Sequence, residues 1–290
     1  MKKTKVIIPA MGLLLLSTAA SVTGTVAWFS MNNSVTATAM SIKVKAEDGI
    51  LISNSAKSAW TDSANASVAS ATLLPTSAAA VASPTFVSAN SSNADDAQAN
   101  QDSDNYSALS LDWSATSEGV GFVDADDDDT FDEGEKAYVL LNQFYIKSSG
   151  GVISKQGETP LLYVNDVTAT SSRAAGAFVK VDNSLRVLVV VGSDAFIYAP
   201  VKDQASGTTT MSYTYAGTTA VAAKAPTVYD QPCTNLATIS NLDASAVSVK
   251  IYCYFEGEDA NCKSTNISGI TMENLNVTVT FGSVIKHPAP

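Results

Sequence analysis

Histidine is almost missing from this chain. Its 290 residues hold one, His287, among the last prolines. A zinc centre built from two or three imidazoles is therefore excluded, and a Ser-His-Asp triad or a Cys-His dyad, which needs one, has this histidine alone to draw on, in an implausible place among the terminal prolines. No H-E-x-x-H occurs, and no Gly-rich phosphate loop. Bases are scarce as well, with 17 Lys and Arg against 28 Asp and Glu and a formal net charge of −11. A surface of that sign repels phosphate backbones, so nucleic acid is not an expected partner, while divalent cations are favoured. Cysteine is limited to Cys233, Cys253 and Cys262. In an oxidising compartment Cys253 and Cys262 are the candidate disulfide and Cys233 the odd residue. The alternative is three free thiols, with Cys253 buried as a small hydrophobe. Paired carboxylates of the kind a glycosidase uses occur at Glu256-Gly257-Glu258-Asp259, in what reads as a polar turn after a strand. Catalysis has no complete constellation here, and the expectation is a protein that is not an enzyme.

Long apolar runs are lacking too, except at the start. Lys2, Lys3 and Lys5 precede Val6 to Leu16, an apolar stretch of about 11 residues, followed by small and hydroxylated residues up to Thr25-Val26-Ala27. That is the layout of a signal peptide over residues 1–27 with an A-x-A-like cleavage site, and its apolar core is short for a membrane span; the competing reading is an uncleaved anchor, with Val6 to Phe29 just long enough to cross a bilayer. Removing its three lysines leaves a net charge of −14. No cysteine lies beside the cut, so lipid attachment there is excluded. The expectation is a secreted protein of the cell surface or extracellular matrix that meets the membrane only through its leader. The next residues, Trp28-Phe29-Ser30 and then Val35 to Val44, read as an extended, aromatic-tipped segment at the mature N-terminus.

The remaining chain is long enough for one domain, residues 28–285, with a short tail at 286–290. Alternation dominates it. Val247, Val249, Ile251, Cys253 and Phe255 share one face, with Ser248, Lys250, Tyr252 and Tyr254 on the other; Leu275, Val277, Val279 and Phe281 repeat the pattern. Leu185 to Val191 is apolar almost throughout, as a strand covered on both faces should be. Further strands are expected at Gly49–Ile52, Ala108–Trp113, Ala137–Lys147, Leu161–Val167, Ala177–Val181, Phe196–Tyr198 and Thr209–Tyr215. About ten strands with turn signals between them predict an all-β fold, a two-sheet antiparallel sandwich of jelly-roll type. Residues 53–107 differ, being mostly Ser, Ala, Thr, Asn and Asp, with islands at Leu73-Leu74-Pro75 and Pro84-Thr85-Phe86-Val87. They read as a low-complexity insertion that buries little apolar area, with room for a short Ala-rich helix within Val68–Ala82.

One motif carries chemistry. In residues 124–135 eight of twelve side chains are carboxylates, and no base occurs before Lys136. Asp124, Asp126, Asp128, Thr130, Asp132 and Glu135 occupy the first, third, fifth, seventh, ninth and twelfth places of a calcium loop, and Phe131 supplies its apolar eighth. The sixth place, where such loops carry Gly, holds Asp129, a residue that tolerates the left-handed conformation better than most. Calcium in a structural role is the cofactor the spacing predicts; a solvated acidic turn is the competing reading.

Two regions together resemble a family. Thr25-Val26-Ala27-Trp28-Phe29-Ser30 with the strand that follows, and Val249-Lys250-Ile251-Tyr252-Cys253-Tyr254-Phe255-Glu256-Gly257-Glu258-Asp259-Ala260-Asn261-Cys262 closing with Val277 to Phe281, resemble the ends of camelysin/TasA-type secreted proteins of Gram-positive bacteria. The resemblance implies a jelly-roll-like sandwich exported to the biofilm matrix, with the mature N-terminal strand inserting into the next subunit's sheet to give a fibre. Its partner would be a second copy or another matrix or surface protein. The apolar positions that would carry assembly are Trp28, Phe29, Val35, Ile42 and Val44. The competing reading makes the same segment the first strand of its own sheet, in a monomeric, calcium-stabilised surface or adhesion module. A secreted hydrolase is the third. Camelysin-type members are classed as metalloproteases, an activity this chain lacks the histidines to support.

Overall fold

A computed structural model describes residues 35–38, 41–46, 49–54, 59–67, 71–89, 106–113, 118–132, 135–149, 159–171, 178–215, 245–257, 259, 261–262, 272–273 and 275–286. Among these no α-helix occurs, and Lys180–Ser184 form a 3-10 turn. The N-terminal third supplies mostly short strands: β1 (Val35–Thr38), β2 (Ser41–Ala46), β3 (Ile50–Ser53), β4 (Ser63–Ser67), β5 (Ala71–Leu73), β6 (Ser77–Ala78), β7 (Phe86–Ala89), β8 (Tyr106–Ala108) and β9 (Asp112–Trp113). Longer ones follow: β10 (Glu118–Val123), β11 (Lys136–Ser148), β12 (Thr159–Ser171), β13 (Leu185–Val191), β14 (Asp194–Pro200), β15 (Thr210–Tyr215), β16 (Val247–Phe255), β17 (Met272–Glu273) and β18 (Leu275–Lys286).

The all-β expectation holds. In place of two separate sheets, fifteen strands join in one curled sheet, in the order β17-β1-β5-β11-β16-β13-β14-β15-β12-β18-β2-β4, with β3 and β10 on β11 and β9 on β10. The corner is physical. The first half of β15 pairs with β12 (Ala169 with Met211) and its second half with β14 (Tyr198 with Tyr215), so one strand carries the hydrogen bonding from one wall to the other. The two ends of the order are drawn from the same parts of the sequence: β1 and β2, β4 and β5, and β17 and β18 are consecutive in the chain, and each pair contributes one strand near each end of the order. β1 and β2 therefore each have hydrogen-bonded neighbours on both sides, β17 and β5 for β1, β18 and β4 for β2.

The core sits inside this curl. Val187, Val189, Ile251, Phe144 and Ile146 from one wall pack with Leu162, Val167, Val277, Val279 and Phe281 from the other. Alternation explains the choice: β16 and β13 pair in register, Ile251 with Val189 and Cys253 with Val187, so every second residue faces inward. The intervening residues form a second cluster on the outer face, where Tyr138, Leu141, Leu188, Val190, Tyr252 and Tyr254 are covered by Phe86 and its neighbours. The cover belongs to a separate three-stranded sheet, β6-β7-β8.

Two local expectations are corrected. The described part of Ala177–Val181, from Phe178 on, is not a strand: from Val179 the chain enters the 3-10 turn, because the buried Asp182 carboxylate accepts the Val179 N–H at 2.8 Å and closes the chain on itself. No helix forms in the described part of 68–82, where β5 and β6 pair as strands with β1 and β7.

Candidate metal loop and N-terminal strand

β10 and β11 pair as a hairpin from Glu118 with Asn142 to Val123 with Lys136, and the acidic segment is the connection between them. Its conformation is set by its own carboxylates. Asp124 accepts backbone N–H groups from Asp126 (3.0 Å) and Asp127 (2.7 Å) on one oxygen and from Asp129 (2.9 Å) on the other. Asp128 accepts the Thr130 N–H at 2.8 Å. Glu135 closes the loop, accepting N–H groups from Ala125 and Asp132, both at 2.8 Å. Asp127 and Asp129 take left-handed conformations, with φ of 64° and 58°. Asp129 thus adopts in the sixth place the geometry that glycine supplies elsewhere. Phe131 anchors the loop on Phe122, ring centroids 5.5 Å apart and edge to face.

Of the six predicted ligands, Asp124, Asp126 and Asp128 come together, with one carboxylate oxygen from each lying within 4.8 Å of the others. Thr130, Asp132 and Glu135 lie on the same loop but outside that trio, and Glu135 is occupied with backbone donors. The amides around Asp124, Asp129 foremost, hold its carboxyl below the ordinary aspartate range. Asp126 is pushed up, chiefly by the Asp128 charge and then by desolvation, Asp124 and the other carboxylates of the loop. One anion is therefore already stabilised by dipoles while its neighbour is opposed by like charge. Three convergent carboxylates are the donor type a hard divalent cation takes, and backbone carbonyls or water would complete its six to eight oxygens.

The predicted assembly residues are placed unevenly. Trp28 and Phe29 lie outside the described residues, as do the leader at 1–27 and Cys233. Val35 is in β1, paired with Leu73. Ile42 and Val44 are in β2, in register with Val277 and Val279 of β18 and with Ala66 and Ala64 of β4. Both are fully buried, inside this chain's own sheet.

Cys253 and Cys262 are both free and buried, so the expected bridge is not formed. Cys253 is locked in register between Leu140 and Val187, and the Cys262 thiol is engaged by the Ser184 side chain. Burial pushes each thiol up to about 12, which keeps them neutral and poor nucleophiles. The carboxylates of the 256–259 turn are engaged structurally: Glu256 takes the Ser77 hydroxyl, and Asp259 pairs with Arg186 at 2.6 Å. Glu258 is outside the described residues.

Sequence reasoning missed the outer aromatic cover. Phe86 packs on Tyr252 and Tyr254, centroids 5.7 and 5.6 Å away, and Trp113 on Tyr252 at 6.1 Å. The available signals were the Pro84–Val87 island and Gly121, whose missing side chain leaves the space that Trp113 fills. No helix among the described residues is long and apolar enough to cross a membrane. Comparison with protein-family models, with curated proteins and with solved structures gives no match.

Proposed function

We propose that this chain is an exported, non-enzymatic structural protein of the cell surface or biofilm matrix, related to the camelysin/TasA type, that assembles through its N-terminal strand. One observation carries the reading. The most N-terminal described stretch, β1–β2, sits as an interior strand between β17–β18 and β4–β5 rather than at a sheet edge. A segment near the chain end that fills an interior slot is the arrangement in which copies exchange strands: withdrawn from its own slot, it leaves a gap of its own shape in every copy. The opposed walls of the curl, packed through a shared core, suit the jelly-roll-like sandwich that the family resemblance implies.

The test is direct. Protein beginning at Trp28 should form fibres visible by negative-stain microscopy, and a chain beginning at Glu47 should not. A truncated chain that still polymerises sinks strand exchange.

A second reading, a monomeric surface module stabilised by calcium, is favoured by the clustered oxygens of Asp124, Asp126 and Asp128. Calcium itself is compatible with both readings, since the ion would fix the β10–β11 hairpin in a monomer and in a fibre alike.

A further inference from the structure

Among the described residues, backbone hydrogen bonds attach the small sheet to the large one at two places. At one end the Leu74 N–H donates to the Ala137 carbonyl (2.8 Å), the Thr76 N–H to Phe255 (3.0 Å) and the Gly257 N–H back to Thr76 (3.1 Å). At the other, β9 pairs with β10, Trp113 with Gly121 and Asp112 with Phe122. Between these points the described backbone hydrogen bonds of β6, β7 and β8 stay within the small sheet, including Leu109 N–H to Phe86 at 2.8 Å. What holds that stretch down is side-chain packing, with one large residue, Phe86, and otherwise Ala78, Ala82 and the partly buried Leu109 and Leu111. Beneath it the Tyr254 hydroxyl is fully buried with no hydrogen-bond partner among the described residues. Such a group regains hydration when uncovered, which offsets part of the apolar cost of opening.

We propose that the small sheet is a hinged flap, fixed near residues 74–77 and 112–113, that lifts as a unit and bares the tyrosine face of Tyr138, Tyr252 and Tyr254 while the large sheet stays folded. Lifting takes no backbone hydrogen bond from the middle of β16, which keeps β11 and β13 on its two sides. A segment with few buried contacts and its own internal hydrogen bonds is the kind of unit that opens sub-globally. The segment read from composition as an insertion then has a conformational role, whichever functional reading holds.

Hydrogen exchange on the whole protein tests this. Peptides covering 77–89 and 106–111 should exchange together, about tenfold or more faster than 185–191 and 249–255. Phe86→Ala should accelerate the flap peptides about tenfold further and leave 185–191 and 277–281 unchanged, whereas Phe281→Ala, in the main core, should accelerate all of them. Nitration of Tyr254 by tetranitromethane should quicken in Phe86→Ala in step with flap exchange. Equal exchange of flap and sheet in the parent, equal acceleration of the sheet peptides by Phe86→Ala, or unchanged Tyr254 nitration in that variant would overturn the flap.

Discussion

At the residue scale, the acidic loop places two aspartates in opposite electrostatic situations a few ångströms apart. Asp124 has a lowered pKa, so its stabilising contribution is present above the ordinary aspartate value of about 3.9 and is lost as pH falls through the lowered one. Asp126 has a raised pKa, so the sign reverses: its like-charge penalty is absent at low pH and sets in as pH rises through the raised value. With calcium chelated at pH 7, Asp126→Asn should raise the melting temperature and Asp124→Asn lower it. Each shift should be on the order of a degree, because both groups are solvent-screened. Calcium at about a hundredfold excess over its Kd should raise the parent's melt by on the order of 5 °C, and both variants should lose most of that rise. Shifts of the same sign in chelator would refute the repulsion account, and a parent melt indifferent to calcium would remove the ion. The ligand spacing was legible in the sequence because a calcium loop is a local motif whose order along the chain is its geometry. That only three carboxylates converge was not legible, since Glu135 is diverted to two backbone amides by the closure of the hairpin.

At the element scale, alternation identified the inward face of β16 and the two-sided burial of β13, but Tyr252 and Tyr254 looked like part of a polar face. They are buried because residues some 150 positions earlier fold over them, and no pattern within β16 encodes that cover. The composition of 53–107 argued against any core there. Phe86 with Leu74, Ala78 and Ala82 suffices because the other side of the contact supplies three tyrosines and Leu188. Gly121 is the local trace of this packing: a Cβ there would come within 2.9 Å of two Trp113 ring carbons. Gly121→Val should therefore push Trp113 off β10 and cost about 1–3 kcal/mol, the range for overpacking. Denaturant melts would read the loss. In a Trp28→Phe/Trp60→Phe background the Trp113 emission should move to the red. An unchanged melt with unchanged emission would mean that Trp113 does not rest on β10.

At the scale of the whole molecule, what matters is how the sheet is held near its two ends. β15 turns the corner between the walls, and β1 and β2 place one strand each near opposite ends of the order, each with a neighbour on both sides. Deleting 35–46 would open edges on β18 and β4 together and expose the curl's interior along Ile42 and Val44, each worth about 1.5–3 kcal/mol of burial. That loss is comparable to the whole stability of an ordinary domain, about 5–15 kcal/mol, once the hydrogen bonds to both neighbours are included. A chain beginning at Glu47 should therefore show no cooperative melt alone, and should regain one when a peptide of residues 35–46 is added in trans. The same peptide carrying Val44→Asp should fail, because it would bring an unpaired carboxylate into an apolar core. A truncated chain that melts at the parent's temperature would show the slot to be dispensable and would leave strand exchange without a driving force. Rescue by the free peptide would show that the slot accepts its strand from another molecule. Under that outcome a fibre requires only that the donated strand remain attached to the next copy, so that each molecule fills one gap and leaves its own open.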